Sequence, residues 1–237
     1  MTVFDDLLRV QEHDTRIDQL RHRRDTLPQR ARLTEIAGQV AGFERDAGQA
    51  GSDRDELARE QKLHEDEVAS LGDKRMSAQA KLYGGDVSNP RELQALQEEV
   101  EALGRRVGHL DDRTLELMEQ IEPLDGRLAE VASSASAARA EAESVEAQLT
   151  AAEAEIDAEI DSERVAREQL IGDVAPELRA EYEQLRGQSG GVAIARLTGA
   201  QCGGCHLSLS AMEVARIRKL SPDEPVHCEE CGRLLAR

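Results

Sequence analysis

Aromatic side chains are nearly missing from this sequence, which has no tryptophan, two tyrosines and two phenylalanines in 237 residues. That scarcity argues against a large globular core, because rings supply much of the area such cores bury. No apolar run approaches the ~18 to 20 residues of a membrane-spanning helix. The opening stretch MTVFDDLLRVQEHD lacks the basic start and apolar segment of a secretory signal, so a cytoplasmic location and no membrane partner are expected. Cysteine is confined to the last 36 residues, as two C-x-x-C pairs. A scattered disulfide framework would look different, and a reducing compartment suits this pattern. The sequence also has no phosphate-cradling glycine loop before a helix, no nucleophile elbow and no His-rich metal site. It therefore offers no support for an enzyme or for a small-molecule substrate.

What is abundant is charge, at 33% of residues, together with a 39% hydrophobic fraction drawn mostly from Ala, Leu and Val. Long helices or coiled coils have this composition. The net charge of −18 is unevenly placed. From residue 189 onward six bases face five acids, a balance of +1, and residues 1–188 carry −19. Net charge therefore gives no support for long-range attraction to a nucleic-acid backbone, which rests on clustered Lys and Arg.

Stepping alternately by three and four residues from Leu93 gives Leu96, Val100, Leu103, Val107, Leu110, Thr114, Leu117, Ile121, Leu124, Leu128 and Val131, and the phase continues through Ala135, Ala138, Ala142, Val145, Leu149, Ala152 and Ile156. This is a coiled-coil seam. A second, more polar seam runs from Leu33 through Ile36, Val40, Phe43, Ala50, Leu57, Val68 and Ala78 to Leu82. Its polar members Arg54, Gln61, His64 and Arg75 leave the oligomeric state open. Val3, Leu7, Val10 and Ile17 begin an earlier helical stretch, and Pro28 should bend the path near Leu27. Between the seams, YGGDVSNPRE (residues 83–92) reads as a turn. Gly84 and Gly85 end one helix, and Asn89, Pro90 and Glu92 form a capping box for the next. So short a connection requires antiparallel helices. Two arms of roughly 80 residues would make a rod on the order of 120 Å long. A shorter helix should begin near Pro176, and Ser189, Gly190 and Gly191 mark a boundary. The expected organisation is mainly α: a coiled-coil hairpin over residues 1–188 with its tip at 83–92 and a short following helix, then a zinc ribbon with short β-strands over 189–237.

Cys202 and Cys205 are separated by 22 residues from Cys228 and Cys231. Four soft thiolates in two knuckles suit one structural Zn²⁺, and they leave no open position for catalysis. Glycines 203, 204 and 232 are expected to supply positive φ and close backbone approach to sulfur. His206 and His227 stand beside ligands without being needed as ligands. Strands are expected at Val192–Leu197 and after the second pair. A helix capped by Ser210, with Glu213 three residues on, should lie between the pairs and end in Arg216, Arg218 and Lys219. With Arg196 and Arg233, these bases are the candidate nucleic-acid contact. Cations at a helix C-terminus explain the run equally well, and no aromatic stacking platform accompanies them.

The text KLYGGDVSNPRELQALQEEVEAL, LELMEQIEP, PELRAEYEQLR, GVAIARLTGAQCGGCHLSLS and CEECGRLL resembles a bacterial family of C4-type zinc-ribbon proteins with a long coiled-coil hairpin. The resemblance covers most of residues 80–237. It implies that the ribbon cysteines are Cys202, Cys205, Cys228 and Cys231, and that the family's tip motif falls on Tyr83, Gly84, Gly85, Asn89 and Pro90. With Asp86, these are the candidate tip contacts to a partner. Members are described as candidate nucleic-acid-binding proteins, and a flagellar-biogenesis relative as binding a sigma factor and RNA. The expectation is a non-enzymatic adaptor or regulatory protein that binds protein partners, nucleic acid (RNA or DNA), or both, through the zinc ribbon and the coiled-coil rod. The competing expectation is a transcription regulator associated with RNA polymerase that acts through the coiled-coil tip.

Overall fold

A computed structural model describes residues 2–237. Its elements are α1 (Val3–Asp25), α2 (Pro28–Tyr83), α3 (Pro90–Gly172), α4 (Pro176–Gln188), β1 (Ile194–Thr198), β2 (Gln201–Cys202), α5 (Ala211–Ile217) and β3 (Leu234–Ala236). The protein is mainly α-helical, with one small three-stranded sheet. It divides into two compact units, one formed by Arg32–Ser144 and the other by the chain up to Ala31 together with Val145–Arg237.

The unit Arg32–Ser144 is an antiparallel hairpin of α2 and α3. Every seam position expected from the sequence in this unit is at least half-buried, while most intervening residues are exposed. Ile36, Ala50 and Ala78 on α2 and Leu110, Leu117, Ile121, Ala135 and Ala138 on α3 are the most deeply buried. Ion pairs Arg32–Glu141, Arg54–Asp125 and Arg106–Glu67 cross between the helices, with numbers rising on one arm as they fall on the other. Pro123 lies inside α3 on its exposed side, and the seam keeps its phase through it.

In the other unit, α1 starts with a capping box: Thr2 Oγ1 accepts from Asp5 N, and Asp5 Oδ2 accepts from Thr2 N at 3.0 Å. The break expected near Pro28 occurs. Thr26 ends α1, its N–H returning to His22 O at 3.0 Å, and Pro28 opens α2. Ile17, Leu20 and Leu27 pack on Ile156 and Ile160 of α3. Above that contact, Arg16, Arg23, Arg24 and Arg30 reach Glu153, Asp157 and Glu159. Such pairs, exposed or partly so, are worth ~0–1 kcal/mol each, so they chiefly fix register.

The sheet order is β2–β1–β3, with β1 antiparallel to β2 and parallel to β3. Strand alternation gives this small sheet two buried faces. Ile194, Leu234 and Ala236 point into a core with Phe4, Leu7, Val10, Ile171, Val174 and Tyr182. Ala195 and Leu235 point the other way, into a core with Leu209, Val214, Ile217, Val226 and two of the cysteines. The ribbon is thus built onto the helices rather than tethered to them. Gln11 joins the two: its Oε1 accepts from Ala193 N (2.7 Å) and Ile194 N (2.9 Å), and its Nε2 donates to Ile194 O (2.9 Å).

Candidate metal centre

Two similar knuckles present the four cysteines. In the first, Cys202 O accepts from His206 N (2.8 Å) and Cys202 N donates to Leu207 O (3.0 Å). In the second, Cys228 O accepts from Gly232 N (2.8 Å) and Cys228 N donates to Arg233 O (2.8 Å). The residue closing each loop is left-handed, Gly232 at φ 72° and His206 at φ 63°. Positive φ was expected at Gly203 and Gly204 as well, and neither has it. What they need is space: a Cβ on Gly203 would lie 2.9 Å from Arg196 O, and one on Gly204 2.7 Å from Arg233 Cδ and 3.1 Å from Ala195 Cβ. At Gly203 the first knuckle lies so close to the β1 backbone that a Cβ would not fit, and at Gly204 the Arg233 side chain and Ala195 crowd the same space.

All four Sγ atoms lie within 4.8 Å of one another. Cys202–Cys231 and Cys205–Cys228 are 4.0 Å and 3.8 Å apart. A tetrahedron with Zn–S bonds of ~2.3 Å has edges of ~3.8 Å, so the donor set fits one Zn²⁺ in size and in chemistry. Cys202 and Cys228 are buried, Cys205 and Cys231 half-buried. As a free thiol, Cys228 is pushed up to about 12 by burial. Burial also raises Cys231, but hydrogen bonds from the Arg233 backbone and side chain draw it down to about 7. The site is that of a C4 zinc ribbon with one structural Zn²⁺, and four thiolates close the coordination shell. His227 Nε2 is turned toward Glu181 Oε1 at 2.8 Å, and His206 is exposed.

The five candidate nucleic-acid bases do not form one free face. Arg196 reaches Asp5 at 3.2 Å, Arg216 makes a two-pronged contact with Glu213 (2.8 and 2.6 Å), and Arg233 donates to Val192 O and Ser189 O. Arg218 and Lys219 are exposed, and their side chains have no partner among the described residues. In the hairpin unit, Tyr83 is 81% exposed at the tip. A Cβ on Gly84 would meet Ala80 O at 2.7 Å, and Gly85 has φ 82°. Asp86 and Pro90 are exposed, and Asn89 Oδ1 accepts from Arg91 N at 3.1 Å. Only this half of the expected capping box forms, and Glu92 is exposed.

Three features carried no local signal. Asp14 is 3% exposed and accepts from Arg167 Nε (2.7 Å) and from Tyr182 OH (2.8 Å). Burial and this bond push the Tyr182 phenol far above its ordinary value. The other two are Gln11 and Arg237. Partners more than 150 residues away define Asp14 and Gln11.

The profile of the CT398-like coiled coil hairpin domain matches residues 10–190, and that of the C4-type zinc ribbon domain matches residues 201–235. An uncharacterized protein of Mycobacterium tuberculosis is 32% identical over 234 residues, 98% of this chain and 94% of its own length. A solved Mycobacterium smegmatis protein is similar with a TM-score of 0.87 at 26% identity, covering 99% of this chain and 97% of that one. CT398 from Chlamydia trachomatis shares the fold with a TM-score of 0.70 at 22% identity, over 98% and 96% of the two chains. With a profile that spans most of its length and a metal site to match the second, the chain belongs to the CT398-like coiled-coil hairpin family with a C4-type zinc ribbon.

Proposed function

We propose that this chain is a non-enzymatic adaptor of the cytoplasm. The hairpin provides a protein-binding surface, and the ribbon, which we take to begin at Ser189, binds a protein or nucleic-acid partner. The observation that carries this reading is the closed four-cysteine site: its thiolates are spent on holding a small rigid module, which suits recognition rather than turnover. A ribbon with four of its six bases already engaged favours protein over nucleic acid. In-cell crosslinking with separate readouts for protein, RNA and DNA tests the reading. Removing residues 190–237 would uncover Phe4, Leu7 and Val10, so the comparison uses Arg218→Glu/Lys219→Glu and Tyr83→Ala substitutions. Protein crosslinks weakened by either are expected. Absence of crosslinks in every class would overturn the proposal.

A second reading is a polymerase-associated regulator acting through the tip, favoured by the exposure of Tyr83, Asp86 and Glu92 together. Polymerase pull-down with wild-type and Asp86→Ala protein tests it, and no binding by either removes it.

A further inference from the structure

The ribbon carries a cleft of about 400 Å³ between the β1–β2 turn and α5. Its apolar lining comes from Leu197, Val214, Ile217, Leu220 and Pro222, and its size falls within the ~300–1,000 Å³ of small ligand sites. Among the described residues, its charged lining consists of Arg218 and Arg237. This stands out in a chain of net charge −18, where the clefts beside α1, α3 and α4 include Asp or Glu. No Asp or Glu side chain pairs with either arginine among the described residues. Arg237 spends its terminal nitrogens on the carbonyls of Ile217, Leu220, Ser221 and Glu224, which fixes the outer wall, while its Nε is buried without a hydrogen-bond partner among the described residues. Arg218 is exposed at the rim.

We propose that this cleft is a docking groove for an acidic peptide segment that seats an aliphatic side chain on Leu197, Leu220 and Pro222, over the buried Val214 and Ile217, and sets a carboxylate against Arg218. The proposal rests on the adaptor reading and names the chemistry of its partner. Charge complementarity selects the occupant: the exposed Arg218, without a partner among the described residues, and the apolar floor beside it match a carboxylate next to a leucine-like side chain. Nucleic acid fits less well, because the four aromatic residues of the chain all lie outside the ribbon and the floor offers no stacking surface.

Methyl NMR of the full-length zinc-loaded protein tests this with a short synthetic peptide of leucine and glutamate, the same peptide with lysine for glutamate, and a single-stranded oligo-dT. The leucine–glutamate peptide should shift the methyls of Leu197, Val214, Ile217 and Leu220 and leave those of Leu63 and Leu115 in place. Arg218→Glu should weaken binding by about tenfold or more, while Met212→Glu, outside the groove, should not. No shift, equal shifts with the lysine peptide, or unchanged affinity in Arg218→Glu would overturn the proposal. Oligo-dT shifting the same methyls would assign the groove to nucleic acid, and concentration-dependent shifts of the protein alone would assign it to a second copy. Protein crosslinks that persist undiminished in Arg218→Glu would sink the groove and leave the adaptor reading standing.

Discussion

Gln11→Ala should loosen the ribbon from its helical base without touching the metal site. The amide makes three bonds to Ala193 and Ile194, at the entry to β1, both 0% exposed. Removing it strands two N–H groups and one carbonyl. At a net ~1 kcal/mol per bond, and more for a group left unsatisfied, the cost is about 2–4 kcal/mol. That is a large fraction of the ~5–15 kcal/mol that holds an ordinary domain together. A chain with a metal centre and two compact units need not unfold in one step, so amide exchange is the decisive readout. Exchange at Ala193, Ile194 and the paired Leu234–Ala236 should accelerate, while amides of the hairpin unit and the zinc content stay unchanged. A stability change under ~0.5 kcal/mol with unaltered exchange would refute the claim that Gln11 welds the two parts.

Further outcomes follow from the same geometry. Tyr182→Phe removes a buried hydrogen bond to Asp14 and should cost about 1.5–3 kcal/mol in denaturant unfolding. Asp14→Ala also takes from Arg167 its buried partner, leaving that guanidinium to Glu183 and Glu168, and should cost more, about 2–4 kcal/mol. His206→Gly relieves a left-handed non-glycine residue and should make the ribbon up to about 1 kcal/mol more stable, seen as slower zinc loss to a chelator. Asp5 is held below its ordinary 3.8 chiefly by the Thr2 backbone N–H and hydroxyl, with Arg196 adding a smaller share. Its stabilising effect is therefore fully present above that value and is lost as pH falls through the lowered one. Carbon-13 NMR should find Asp5 titrating below 3.8, and the stability deficit of Asp5→Asn should vanish only in that acid range.

How much of this was legible in the sequence differs from part to part. Seam and knuckles were readable because each repeats a local spacing: three and four residues for the helices, two cysteines per tight loop for the metal. The break at Pro28 and the Ser210 cap, where the Ser210 hydroxyl accepts from Glu213 N at 3.1 Å, depend on neighbours and were likewise visible. Gly203 and Gly204 were picked out for partly the wrong reason, since the demand on them is set by Arg196 and Arg233 across the fold rather than by their own φ. The basic cluster dissolved for the same kind of reason, because Asp5 and the carbonyls of Val192 and Ser189 hold two of its members. Asp14, Gln11 and Arg237 were silent, as nothing nearby in sequence announces a partner brought in by tertiary packing.

A closed, four-thiolate zinc centre holds the small ribbon together at the C-terminal end of this protein. Zinc-edge X-ray absorption of the protein as purified tests it most directly. Four sulfur neighbours at ~2.3 Å and no nitrogen or oxygen ligand are predicted; a shell of three sulfurs with one light atom, or a folded protein that carries no zinc, would contradict it.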